Sequence, residues 1–336
     1  MKHLKWLGGL AAMALLLSQP QASVRGAAGA IAQWQASVAP ALFPFLALMP
    51  LLTCGEATAA YEALLARPMA ACFNLPGAAA PGMIAGMLAG APAGALAARE
   101  AAARGGMSRG QLQRLAAATA GFSPAFLVGG IGAGMLNSPA LGWKLLGAQL
   151  LTQFTLMILL RRAWTSHGEP VEAAGKSSGD HPVRGAVLAI LTICGYMALF
   201  GALAGALGEW VGDGPAGALL CLLDVPSGAL RLCGKGLSER ILLPALAGMS
   251  GFGGMCVVAQ NLGALSGCGL HPGEYIGVRV LAGIFGAGYM ALLQRLTILT
   301  DLRLIEPIRQ KPLAFGALVV ALMAMPMLIK RIKHIS

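Results

Sequence analysis

The chain has 336 residues, 57% apolar and only 11% charged, with a mean hydropathy of +0.72. Soluble domains carry about a quarter charged residues, so a water-soluble enzyme or binding module is excluded. The net charge of +11 does not mark a nucleic-acid binder, because Lys and Arg gather at the ends of long uncharged stretches, as in membrane loops and helix ends.

The N-terminal segment, residues 1–37, has two readings. Lys2 and Lys5 precede an apolar core at 7–17 and a polar exit, Ser18-Gln19-Pro20-Gln21. That is the form of a secretory signal peptide, and equally of a short first membrane helix; retention is the reading adopted. About 20 residues are needed to cross the hydrocarbon. Uncharged runs follow at 26–55, 68–98, 115–143, 145–160, 185–208, 241–273 (His271 aside), 280–294 and 313–329. In the first of these the span proper is placed at 39–55, with Trp34 and Gln35 at the interface. The expected fold is therefore all-α and polytopic, with eight or nine membrane segments. Residues 161–184 form the one clearly soluble loop. It separates two hydrophobic halves, 38–160 and 185–296, and residues 297–336 supply a last helix with a basic tail.

Ser108-Arg109-Gly110-Gln111 has the form of a capping box opening a helix. Arg99, Arg104, Arg109 and Arg114 precede a hairpin of spans, and Arg161 and Arg162 follow it. Both clusters then share a side, which the positive-inside rule makes cytoplasmic. The basic residues at 295–311 and at the C-terminus flank a single span and cannot both obey that rule.

Several runs do not look like inert spans. Gly82, Gly86, Gly90 and Gly94 recur every fourth residue, which on one helix would make a face for close packing, and Gly201 and Gly205 repeat the idea. Pro92 removes an N–H from such a run and frees carbonyls, tolerated in a membrane where protein or water satisfies them. Ser123-Pro124 interrupts a second run, Asp224 beside Pro226-Ser227-Gly228 a third, and Gly253-Gly254 a fourth, followed by Gln260 and Asn261. Interrupted helices expose backbone dipoles that secondary transporters use to bind ions and polar solutes. Asp224 is either an intramembrane functional carboxylate or a helix end at the water interface. Gln260 and Asn261 are ligand-orienting amides or interhelical hydrogen-bond glue. Arg279 is the partner of Asp224 or a snorkelling interfacial cation.

The seven cysteines form no C-x-x-C pair, which fits neither a disulfide framework nor a zinc site. Gly175-Lys176-Ser177 lacks the earlier glycine of a P-loop, and Gly248-Met249-Ser250-Gly251 is followed by Phe252 rather than completing a nucleophile elbow. No catalytic residue, metal or cofactor is expected, and the chain is not read as an enzyme.

Five pieces occur in one order: Pro40-Ala41-Leu42-Phe43-Pro44-Phe45, Gly90-Ala91-Pro92-Ala93-Gly94-Ala95, Phe122-Ser123-Pro124-Ala125-Phe126, Leu223-Asp224-Val225-Pro226-Ser227-Gly228, and Gly251-Phe252-Gly253-Gly254 to Gln260. As a set they resemble the YlbJ-like sporulation integral membrane proteins, of the nucleoside-recognition (Gate-domain) family, over residues 25–300. The resemblance implies two Gate-type halves in inverted topology, with broken or re-entrant helices, and a role in endospore formation. The family usually has an aromatic where this chain has Ala91, Glu where it has Asp224, and Thr or a similar residue where it has Pro226.

The expectation is a transporter-like protein of the bacterial cell or forespore membrane that moves or gates a small polar, nucleoside-like solute. Its site would draw on Gly90, Pro92, Gly94, Ser123, Pro124, Asp224, Ser227, Gly228, Gly253, Gly254, Gln260, Asn261 and Arg279. Its partners would be the lipid bilayer, the solute, and a second copy or other sporulation membrane proteins. The rival is a non-transporting scaffold for spore-envelope assembly, in which the polar breaks are packing features and 99–114 or 161–184 is the contact surface. Replacing the 161–184 loop with a neutral linker separates the two, since a transporter survives the swap.

Overall fold

A computed structural model describes residues 2–53, 55–163, 171, 182–212 and 220–299. The described residues are helical, with no strand among them. In chain order the helices are α1 (Lys2–Ser18), α2 (Pro20–Gln33), α3 (Ala39–Thr53), α4 (Gly55–Phe73), α5 (Ala80–Leu88), α6 (Ala93–Ala101), α7 (Arg109–Thr119), α8 (Pro139–Leu159), α9 (Pro182–Val211), α10 (Val225–Cys233), α11 (Glu239–Phe252), α12 (Gly254–Ala264) and α13 (Pro272–Leu299). A π-helical segment, Ala125–Met135, lies between α7 and α8.

Among the described residues, four helices are long and apolar enough to cross a membrane: Pro20–Leu48, Val183–Val211, Glu239–Ala264 and Pro272–Leu296. A fifth is added if Thr58–Phe73 and Gly77–Leu88, bent by 97°, are one span. The uncharged runs are more numerous than these helices for two reasons. Runs 68–98 and 115–143 are cut by their breaks into helices too short to cross alone. Run 145–160 falls in α8, which is 21 residues long but carries Lys144, Gln149, Thr152 and Gln153. The run at 313–329, the basic tail and most of the 161–184 loop lie outside the described residues.

The sequence suggests a span that begins at 39, after Trp34 and Gln35. Instead α2 continues through the π-helical turn Trp34–Val38 into α3 as one rod. The reason is tertiary. Ala22, Gly26 and Ala30 form a small-residue face on α2 that packs backbone to backbone on Gly201 and Gly205 of α9, close contact of the kind that holds membrane helices together. Arg25 pairs with Glu209 at 3.0 Å at the end of the same contact. The helix thus runs across position 37, where the sequence suggested a boundary.

The glycine stripe also reads differently in three dimensions. Gly82 and Gly86 lie on α5, Gly94 on α6, and Gly90 in the turn between them with φ of +74°. Gly94 packs on Gly86, and Gly82 packs on Ala98. Instead of lining one face of one helix, the stripe is folded about Gly90 into an antiparallel hairpin, because the left-handed turn at Gly90 and Pro92 after it end α5.

Polar contacts mark the two ends of the bundle. At one end Arg114 donates to the carbonyls of Asn74 (2.8 Å), Leu160 (3.2 Å) and Arg161. Gln113 Nε2 donates to Glu274 (2.8 Å), and Arg99 Nη1 to Ala264 O (2.7 Å). The two basic clusters therefore share this end. At the other end Gln294 Nε2 donates to Glu239 O at 2.8 Å. The α5–α6 hairpin returns to Arg99 and so enters from the basic end. A second hairpin, in which Gly228 of α10 packs on the Cys221 carbonyl, leads into the start of α11 and so enters from the opposite end.

The α2–α9 contact leaves no room for a side chain at Gly201, where a Cβ would meet Ala30 and the Gly26 carbonyl. Gly201→Leu is expected to destabilise the purified protein by about 1–3 kcal/mol, read as a lowered unfolding midpoint in detergent. An unchanged midpoint would remove this contact as the seat of α2.

Candidate functional site

Four backbone interruptions converge in the interior. The α5–α6 tip, Gly90-Ala91-Pro92, meets the break at 120–124 through a hydrogen bond from Ala91 N to Gly121 O (2.9 Å). The tip before α10 meets the break between α11 and α12 through Cys256 N to Leu223 O (2.9 Å). Each hairpin tip is thus hooked to one interrupted helix. The close approach explains the glycines. A Cβ at Gly90 would lie 2.8 Å from Gly121 O and Ser123 N. Gly253 and Gly254 hold φ of +90° and +73°, a left-handed turn that side chains resist.

Each break is satisfied by a particular side chain. Asp224 caps α10, its Oδ2 accepting from Ser227 N (3.1 Å) and Ser227 Oγ (2.6 Å). Ser123 Oγ accepts from Phe126 N at 3.2 Å. Gln149 on α8 accepts from Phe122 N (2.9 Å) and donates to Phe122 O (2.8 Å), and Gln153, one turn on, donates to Thr119 O (3.1 Å). These amides do for the 120–124 break what helix continuation would have done for the same backbone groups.

The tips and breaks enclose a small cavity of about 30 Å³. Its polar wall is Ser123, Asp224, Cys256 and Gln260 with the backbone at Ala91 and Gly121; Phe122 and Phe126 supply aromatic surface. Val38 and Leu42 of the first rod and Ile193 and Met197 of α9 close the apolar side. Asp224 is 2% exposed, and among the described residues no Lys or Arg nitrogen comes within 4 Å of it. Its carboxyl sits at the N-terminal end of α10, held by Ser227 and beside the Cys256 thiol. Gln260 Nε2 in turn reaches Cys256 Sγ at 3.1 Å, so Cys256 sits between the carboxylate and the amide.

Ser123, Asp224 and Gln260 are thus brought together as neighbours on one cavity, with Ser227 behind Asp224. Gly90, Pro92, Pro124, Gly253 and Gly254 shape the breaks. Gly94 and Gly228 serve the hairpins, packing on Gly86 and on Cys221. Asn261 is fully buried off the cavity, with its side chain facing the Tyr275 hydroxyl.

Arg279 is not the partner of Asp224. Its Nε donates to Phe252 O (3.1 Å), Nη1 to Ala117 O (2.9 Å) and Nη2 to Gly251 O. The pairing fails because the helix breaks leave these carbonyls without helical partners, and they claim the guanidinium first. Nor does it snorkel, being only 2% exposed. Sequence reasoning missed Cys256, Phe122, Phe126, Gln149 and Gln153. The pair Gln149 and Gln153, one helical turn apart in an uncharged run, was the available signal.

Compared with known proteins, the chain matches no family model, no curated protein and no solved structure. Gln149→Leu keeps the side-chain volume but leaves both polar groups of Phe122 unpaired. The expected cost is about 2–4 kcal/mol, measured by denaturant unfolding in detergent, and a loss below about 0.5 kcal/mol would mean the break is satisfied by other groups.

Proposed function

We propose that the chain is a transporter-like membrane protein that moves or gates a small polar solute, with its site in the cavity at Asp224. What carries this reading is that hairpins entering from opposite ends and two interrupted helices meet on one buried, partly polar cavity. Secondary transporters with inverted repeats place their sites in this way, at discontinuous helices near the midplane. Each half presents the same order of parts: hairpin, interrupted helix, long helix. Residues 80–159 run hairpin α5–α6, then α7 to Met135, then α8; residues 220–299 run the tip before α10, then α11–α12, then α13. The reading fits two inverted Gate-type halves of the YlbJ-like, nucleoside-recognition kind, acting in endospore formation at the cell or forespore membrane. Asp224 and Gln260 orient the solute, and Ser123 supplies a hydroxyl. Phe122 and Phe126, with ring centroids 5.0 Å apart and planes tilted by 32°, offer aromatic surface for a nucleoside-like group. The protein is not proposed as an enzyme.

The test begins with metabolite profiles of forespores with and without the gene, which identify the solute. Asp224→Asn in proteoliposomes is then expected to reduce its flux at least about tenfold, since a buried carboxylate hydrogen-bonded to a solute contributes about 1.5–3 kcal/mol. Full flux and full sporulation with Asp224→Asn would remove Asp224 from the site; unchanged metabolites would remove transport.

A further inference from the structure

We propose that Arg279 is a positioning residue that holds the cavity in its binding shape by clamping the two interrupted helices, without itself touching the solute. The proposal rests on the reading of the cavity as the binding site. Arg279 is not part of the cavity wall. It lies on α13 seven residues after Pro272, about 10 Å along the helix at 1.5 Å per residue.

The guanidinium gathers carbonyls from both halves of the chain. Ala117 O belongs to the last turn of α7, and Gly251 O and Phe252 O to the last turn of α11. Such carbonyls lack an N–H four residues on unless the helix continues. Here it does not. Gly121 N, the helical partner Ala117 O would have had, bonds Thr119 O, and Cys256 N, which would have served Phe252 O, bonds Leu223 O. The same diverted amide that hooks the Asp224 tip to α12 therefore creates the vacancy that Arg279 fills. On the other side, Gly121 O accepts the hook from Ala91. Arg279 thus holds the back of both breaks while the hairpin tips hold the front.

The charge also balances. Each helix C-terminus carries about half a negative charge, so two of them meeting one guanidinium leave little net charge. A buried Arg without a carboxylate is thereby tolerated, where an unpaired one would be costly. Lysine carries the same charge as a point donor, and it lacks the planar fork that reaches Ala117 on one side and Gly251 and Phe252 on the other.

Cys256 reports on this clamp, because it is 1% exposed, lines the cavity and sits on the hook. In the full chain with the other six cysteines replaced, the modification rate of Cys256 by N-ethylmaleimide is measured in detergent, with elution profile and thermal midpoint as controls. Arg279→Gln and Arg279→Lys are each expected to raise the rate about tenfold or more. Tyr275→Phe, one turn away on the same buried face, should stay within about twofold, since its hydroxyl faces Asn261 and none of the carbonyls that Arg279 holds. Rates within about twofold of the parent in both Arg variants, or an equal rise in Tyr275→Phe, would overturn the proposal. So would loss of folded protein in both Arg variants, which would make Arg279 a stability residue. A chain that carries no solute would still show the change at Cys256, whereas the transport reading is judged by flux in Asp224→Asn, so the two fail separately.

Discussion

In hydrocarbon every backbone N–H and C=O must find a partner within the protein, and this constraint organises the whole molecule. Four interruptions open the helices at its centre, and three of them are closed by dedicated side chains, the α5–α6 tip being held by its backbone bond to Gly121. Arg279 takes the carbonyls at the ends of α7 and α11, and Gln149 and Gln153 take those around Phe122. Asp224 and Ser123 take the amides that open α10 and the Ala125–Met135 segment. The polar side chains inside this apolar chain are accordingly concentrated where the backbone is discontinuous.

That division places opposite kinds of group on opposite sides of the breaks. The carbonyl ends of α7 and α11 turn away from the cavity toward α13. The N-terminal ends of α10 and α12 turn toward it, bringing Asp224, Cys256 and Gln260 to its wall. The carboxyl at the start of α10 and the guanidinium at the end of α11 each sit where the helix dipole suits them. Each has its own partners, which is why the two groups stay apart although both are buried. Small residues set the distances. Gly26 against Gly201 seats the first rod on α9, and Gly86 against Gly94 closes the hairpin whose tip reaches Ser123.

Much of this was legible in the residues themselves. Low charge and long apolar runs imply helices in a membrane, and Gly90, Pro92, Ser123, Asp224, Gly253 and Gly254 each announce an interruption, because proline, left-handed glycine and an intramembrane carboxylate do not suit a continuous span. The capping box at Ser108 formed as its spacing implied. Less legible was what each interruption does to the chain. A glycine every fourth residue fits a continuous helical face and, equally, a hairpin folded about its middle; only the left-handed turn at Gly90 selects the second. A span that begins at 39 looks right until Gly26 is seen against Gly201. Arg279 looks like a counterion for Asp224 until the unpaired carbonyls of Gly251 and Phe252 are placed beside it.

The sequence by itself determined the solvent of this protein, its helical class and the positions of its discontinuities, since these depend on composition and on the local chemistry of proline, glycine and charge. Tertiary structure decided which discontinuities meet and which polar group answers each one. Those outcomes depend on contacts between residues about 30 to 160 positions apart, such as Ala91 with Gly121 and Arg279 with Ala117, and no local pattern encodes such distances.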